Sequence, residues 1–310
     1  MRVLVTGATG FVGSNLVPAL LERGHEVRVL VRDPSRYDGP ETVEVATGDL
    51  LEPDSFDGAL DGIEVAYYLV HSMHAGKNFE AKDRQAARNF AVAAGSAGVD
   101  RVIYLGGLGE ENTELSPHLK SRREVEHILR DSEYDLTTLR AAIIIGDGSA
   151  SFEMIRQMDR KLPVMLTPQW VETPSHPIAI DDVVAYLAGV LDLPETAANT
   201  YDIGGPEVLS YAEILRRTGR VIGTGEPHII PVPVLSPRLS SYWIGLVTDV
   251  PTSVARPLIE GLKNPVVADD GPIRELLSIE LTPFETAVER ALGERDRRLA
   301  VEKLPVEATS

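Results

Sequence analysis

The sequence predicts an α/β fold: a doubly wound parallel sheet with helices on both faces and a smaller, mostly helical C-terminal lobe. Three observations predict it. Short β-branched runs alternate with helical patterns through the first half of the chain, as a parallel sheet covered by helices requires. The first of these runs passes straight into a glycine-rich turn that opens a helix. After Gly146 the alternation loosens, prolines multiply and apolar helical stretches follow.

Taken in order, strands are expected at residues 2–7 (RVLVTG), 26–32, 43–49, 65–70, 101–107 and 136–145. Helices fall between them. Residues 14–24 place Leu16, Leu20 and Leu21 at helical spacing before Gly24, and residues 79–98 also close on glycine. Ser116 and Pro117 open a further helix, serine as N-cap and proline where its missing N–H costs nothing. On that helix His118, Arg122, Val125 and Leu129 share one stripe, flanked by Leu119, Ser121 and Ile128, whereas Lys120, Arg123, Glu124, His127 and Arg130 face away. A solvated charged face accounts for the outward set but not for His118 and Arg122, which are expected to point inward. Beyond Gly146, residues 176–180 and 199–205 read as strands around a helix at 181–192. The first domain is therefore placed at 1–226, with its core at 1–150 and later strands at 176–205. A C-terminal lobe, partly interleaved with it, is placed at 227–310. Four prolines lie between Pro227 and Pro237, ahead of helices expected at 236–247 and 251–262. Thr282, Pro283 and Glu285 announce the last helix as a capping box.

With 310 residues, 43% of them apolar, the chain can bury a large core or a main domain plus a lobe. Forty-seven acidic against 30 basic residues give a net charge of −17, which opposes generic binding to nucleic acid or anionic lipid. Lysine supplies only six of the basic residues, at 77, 82, 120, 161, 263 and 303. Acid-rich, lysine-poor surfaces suit concentrated salt, where repulsion is screened, so a salt-adapted, halophilic protein is expected. The absence of cysteine excludes a disulfide framework or a thiolate site. No signal peptide or transmembrane run is apparent, and the expected location is the cytoplasm.

The segment VTGATGFVG (5–13) has the context a dinucleotide fingerprint demands, after a strand and before a helix. Gly7 permits the tight turn, Gly10 lets the backbone approach a pyrophosphate, and Gly13 lets the helix pack closely on the strand. A Rossmann-type domain follows, with Thr9, Phe11, Val12 and Leu69 also placed against the cofactor. At the end of the second strand, where an NAD-specific domain carries an acidic residue, stands Arg32. Its guanidinium suits a 2′-phosphate, with Arg36 adding a second contact, so NADP(H) is preferred and NAD(H) remains an option. Asp33 complicates this, since it could meet the ribose instead. Asp49 and Leu50 are expected near the adenine. His71 and Ser72, at the tip of the fourth strand, are expected near the nicotinamide. The pair His71 and His74 suggests a metal, but no further ligands stand at suitable spacing, so no metal site is expected. Trp170, Tyr242 and Trp243 read as core or pocket walls.

The TGxxGxxG spacing, the GDL at 48–50, IDDV at 180–183 and YDIGGPEVLSYAEI at 201–214 together resemble the atypical short-chain dehydrogenase/reductases. The likeness spans the chain and is closest to the NAD(P)H-binding group that includes NmrA-like proteins and the accessory NAD(P)H-binding subunit of respiratory complex I. Segments 67–73, 117–126 and 237–251 resemble a bacterial and archaeal branch described as oxidoreductase- or epimerase-like. In conventional members a Ser after the fifth strand and a Tyr-x-x-x-Lys on the next helix do the chemistry. Here the resemblance places Gly106 and Gly107 at the Ser, His118 at the Tyr and Arg122 at the Lys.

The resemblance thus implies an NADP(H)-dependent oxidoreductase acting on an apolar carbonyl, enone or quinone-like small molecule. His118 or Ser72 would manage the proton, Arg122 would hold the ribose, and Gly106 would border the cofactor. Its rival is a non-catalytic NAD(P)H-binding redox sensor or accessory subunit; sugar-nucleotide epimerisation or dehydration is weaker, because the Tyr and Lys are missing. A small-molecule substrate is expected and no nucleic acid; a homodimer or protein partner is left open.

Overall fold

The computed structural model describes residues 1–72, 78–109, 116–232 and 248–302. The chain runs β1 (Arg2–Thr6), α1 (Phe11–Glu22), β2 (Glu26–Val31), β3 (Glu44–Thr47), β4 (Val65–Tyr68), α2 (Phe79–Ser96), β5 (Arg101–Gly107), α3 (Pro117–Arg130) and β6 (Asp135–Ala141). It continues through β7 (Ile144–Ile145), α4 (Ala150–Lys161), β8 (Val164–Pro168), β9 (Pro174–Ser175), β10 (Ile178–Ala179), α5 (Ile180–Asp192) and β11 (Thr200–Ile203). It closes with β12 (Leu209–Ser210), α6 (Tyr211–Val221), β13 (His228–Val232), α7 (Thr252–Gly261), α8 (Gly271–Leu276) and α9 (Phe284–Glu302). The helix expected at 236–247, with Tyr242 and Trp243, lies outside the described residues.

Seven strands form one parallel sheet in the order β11-β6-β5-β4-β1-β2-β3. Because such a sheet is buried on both faces, its central strands are apolar on both sides. One face, with Val3, Val5 and Tyr67, packs under α1 and α5, where the buried Tyr67 hydroxyl donates to the Leu187 carbonyl at 2.8 Å. The other, with Leu4, Tyr68 and Tyr104, packs under α2 and α3 through Phe90, Val125 and Leu129. The strand order reverses between β1 and β4, which opens a crevice at their carboxyl ends where a ligand fits. The buried hydroxyl of Thr6 clasps this point, donating to the Tyr67 carbonyl and accepting from the Leu69 N–H.

The single strand expected over 136–145 is two. After Ala141 the chain leaves the main sheet, and Ile144 and Ile145 pair with Ile178 and Ala179 instead. The apolar run is continuous in sequence, but Ile143 and Ile145 belong to a second core with Phe152, Ile155, Tyr211, Ile214, Ile229, Phe284 and Val288. That core joins the excursion after Gly146 to residues beyond 227. The capping box expected at Thr282 is also replaced. The Thr282 N–H and hydroxyl both donate to the buried Asp182, while the Glu285 carboxylate pairs with Arg217. A full capping box sits instead at Ser210 and Glu213, opening α6.

Candidate active site

The turn after β1 is set by steric limits on its glycines. Gly7 has φ +72°, and a Cβ there would lie 2.8 Å from the Leu69 carbonyl oxygen. At Gly13 a Cβ would lie 2.3 Å from the Gly7 oxygen, so α1 presses on the turn closely enough to admit only hydrogen. The N-cap of α1 is Gly10, and no side chain caps it. The amides of the first turn are thereby left for a ligand, and a helix N-terminus of this kind attracts phosphate. These features fit the pyrophosphate of a dinucleotide.

Two cavities meet over the crevice, sharing Gly7, Gly10, Leu69 and His71 in their walls. The second, about 470 Å³, runs over the ends of β2 and β3 and is lined by Thr9, Arg32, Asp49, Leu50, Ser72 and Lys82. Arg32 and Lys82 are both exposed on its rim. Asp33 is engaged elsewhere. Its carboxylate accepts from the Ser35 N–H and hydroxyl, capping the short turn Pro34–Arg36, and those bonds hold its carboxyl below the ordinary value. Arg36 ends that exposed turn and is not part of the cavity wall. The Asp49 carboxylate accepts from the Leu51 N–H, and the Leu50 carbonyl accepts from Asn89 on α2, which together fix the floor.

The first cavity, about 430 Å³, extends from Phe11, Val12 and Gly13 past Gly106 and Gly107 to α3, and on to α4 and α7. His118 and Arg122 face it from adjacent turns of α3, whose N-cap Ser116 accepts from the Leu119 N–H as the sequence predicts. A Cβ on Gly107 would lie 3.1 Å from Leu119 and 3.6 Å from Arg122, so α3 occupies the space where a serine side chain would project. The Tyr104 hydroxyl donates to the Arg122 carbonyl and ties α3 to β5. Further out the wall is apolar: Leu105, Leu108, Ile143, Met154, Val254 and Leu258.

His71 stands between the two cavities. Its Nδ1 lies 2.9 Å from the Asp83 carboxylate, which also accepts from the Ser72 N–H at 2.7 Å and the Ser121 hydroxyl at 3.2 Å. Burial pushes the Asp83 carboxyl up, but the bonds from His71 and Ser72 more than offset this and leave it below its ordinary value. The His71 and His118 rings are 5.1 Å apart between centroids. Nδ1 of His118 is buried with no hydrogen-bond partner among the described residues. Burial, then the neighbouring His71 and Arg122, hold this imidazole well below the usual histidine value, so it is neutral at neutral pH.

Ser72 lines the second cavity rather than the first, and its N–H serves Asp83. Arg123, read from the helical wheel as outward, is buried: it donates to the Gly109 carbonyl and lies 3.8 Å from the buried Glu126. Among the described residues no cluster of three or more acidic, His or Cys groups could hold a metal, and His74 lies outside them. Sequence reasoning missed Thr6, Lys82, Asp83 and Ser121. For Asp83 a signal existed, since it shares a buried stripe with Phe79, Ala86, Ala87 and Phe90.

Comparison with known proteins agrees with this geometry. Residues 7–165 match the family model described as NAD(P)H-binding. The chain belongs to this NAD(P)H-binding family. Ceramide reductase of Caulobacter vibrioides is 30% identical over 293 residues, covering 91% of this chain and 86% of that protein. The (4-alkanoyl-5-oxo-2,5-dihydrofuran-3-yl)methyl phosphate reductase of Streptomyces griseus is 27% identical over 223 residues, covering 71% and 74%. Among solved structures, triphenylmethane reductase of a Citrobacter species superposes with a TM-score of 0.76 at 20% identity, covering 94% and 100%. Nucleoside-diphosphate-sugar epimerases share the fold as well. The chain is thus an NAD(P)H-binding protein similar to reductases, with a fold that epimerases share. No described helix is long and apolar enough to cross a membrane.

Proposed function

We propose that this protein is an NADP(H)-dependent reductase of apolar carbonyl, enone or quinone-like small molecules. The observation that carries the reading is the cavity that runs unbroken from the glycine turn, past His118 and Arg122, to an apolar outer wall. Three relatives named as reductases support it, and the names of two specify a ceramide and an unsaturated oxo-dihydrofuran. The cofactor, when bound, supplies the hydride. The amides at 11–13 hold its pyrophosphate, and Arg32 with Lys82 provides positive charge suited to a 2′-phosphate. Arg122 stays protonated, so it holds the ribose and positive charge beside the reacting centre but moves no proton. His118, a neutral imidazole on α3, stands beside His71 and can relay a proton toward the substrate oxygen. The apolar walls given by 143–155 and 254–262 exclude water from the substrate carbon.

The test is calorimetric titration with NADPH, NADP⁺, NADH and NAD⁺, repeated with Arg32→Ala, followed by NADPH consumption with long-chain ketones, enones and quinones. NADPH should bind best, Arg32→Ala should erase that preference, and at least one acceptor class should be reduced. Gly106 and Gly107 in place of the catalytic Ser favour a second reading, a cofactor-responsive sensor. Tight binding that discriminates NADPH from NADP⁺, with no acceptor reduced, would select it.

A further inference from the structure

We propose that His71 is the catalytic acid of this site and that Asp83 is the positioning residue that orients it and stabilises its charge; this rests on the reductase reading above. Asp83 is 3% exposed, on the buried face of α2; its Oδ1 accepts from the Ser72 N–H, and its Oδ2 meets His71 Nδ1 and the Ser121 hydroxyl. A carboxylate is kept in such a place only when its charge is compensated, and among the described residues the ionisable donor is His71. With Nδ1 held by Asp83, the ring's other nitrogen carries the transferable proton, and the carboxylate favours the imidazolium that must supply it. The ring edge also packs against Phe79 at 6.3 Å, which limits its rotation.

His118 differs in each respect. Among the described residues its Nδ1 has no partner and no carboxylate is bonded to it, and its surroundings disfavour the cation. At 5.1 Å between centroids the two rings are close enough for His118 to pass a proton on, directly or through one water, but His118 is not built to store one. The other groups around the couple are Arg122 from α3, exposed Lys82 beside Asp83, and the buried phenols of Tyr68 and Tyr104. Burial pushes both phenols up, that of Tyr104 to about 12, so they stay neutral. A bound reduced nicotinamide would supply the hydride, its C4–H bond breaking as the new C–H bond forms at the carbonyl carbon and the C=O π pair moves to oxygen. The oxygen takes the proton from His71, which is left neutral and regains a proton from solvent.

The experiment is a pH titration of the ring nitrogens in protein labelled with nitrogen-15 histidine, with His71 assigned by its loss in His71→Asn. The wild-type His71 midpoint should lie about one unit or more above the ordinary ~6.5, and Asp83→Asn should return it toward that value. NADPH consumption should fall at high pH with the same midpoint and shift with Asp83→Asn. His71→Asn should lower kcat roughly 10²–10⁴-fold with little change in KM. A wild-type midpoint at or below ~6.5 overturns the proposal, even where Asp83→Asn does not fold. An elevated midpoint that the rate profile ignores overturns it too, reducing the couple to a structural ion pair. Failure of NADPH to bind, read separately by titration, falls on the reductase reading instead.

Discussion

The steric demand at Gly13 yields a direct prediction. In Gly13→Ala the new methyl would sit 2.3 Å from the Gly7 oxygen and 2.7 Å from the Ala8 Cα, both backbone atoms that cannot swing aside. Ordinary contact starts near 3.5 Å, so the turn and α1 must separate by about 1 Å. Overpacking of this kind costs about 1–3 kcal/mol. If the separation moves the α1 amides away from the pyrophosphate, the same energy appears as an affinity loss of about 5- to 150-fold for NADPH. The internal control is Gly95→Ala on α2, where a Cβ meets nothing within 4 Å. Replacing that helical glycine should stabilise by about 0.5–1 kcal/mol and leave binding untouched. Urea unfolding and calorimetric titration read both variants. Gly13→Ala with wild-type stability and affinity within twofold would refute the claim that this contact sets the cofactor cradle.

Asp159 is buried with both carboxylate oxygens unpartnered among the described residues, and burial pushes its pKa to about 8. The folded state therefore binds a proton that the unfolded state has lost, so its contribution to stability falls as pH rises from about 4 to about 8. Asp159→Asn should remove this slope and be the more stable protein at the upper end by a few kcal/mol, read by denaturant unfolding across pH. An unchanged slope contradicts this. Tyr67→Phe removes the buried bond to the Leu187 carbonyl and should cost about 0.5–1.5 kcal/mol in the same assay, with cofactor affinity unaltered. The net charge of −17 predicts a melting temperature that climbs from dilute buffer to molar salt; a flat salt dependence would contradict salt adaptation.

Much of this architecture was legible in the sequence because its signals are local. The runs 2–7, 26–32 and 101–107 are β-branched and unambiguous, and the three glycines of the fingerprint state their own spacing. What stayed hidden depends on partners far away in sequence. Nothing in the run 136–145 shows that the chain changes sheets after Ala141, since Ile143 is as apolar as Leu139 and differs only in the core it joins. Arg123 falls on the outer face of α3 by helical periodicity, yet it is buried against the Gly109 carbonyl and Glu126, which the wheel does not show. Asp83 was concealed among the charges of FEAKDRQ, and only its place on the stripe of Phe79 and Phe90 betrays it. The roles of His118 and Arg122 were approached through spacing, whereas the coupling of His71 to Asp83 required the fold that sets the end of β4 against α2.

The central claim is hydride transfer from NADPH to an apolar carbonyl compound. It is tested most directly by supplying NADPH deuterated at the nicotinamide C4 with a panel of apolar ketones, enones and quinones, and examining the products by mass spectrometry. The account predicts deuterium at the former carbonyl or alkene carbon of at least one product, formed far more slowly by His71→Asn. Tight NADPH binding with no deuterium in any product would contradict it and leave the sensor reading standing.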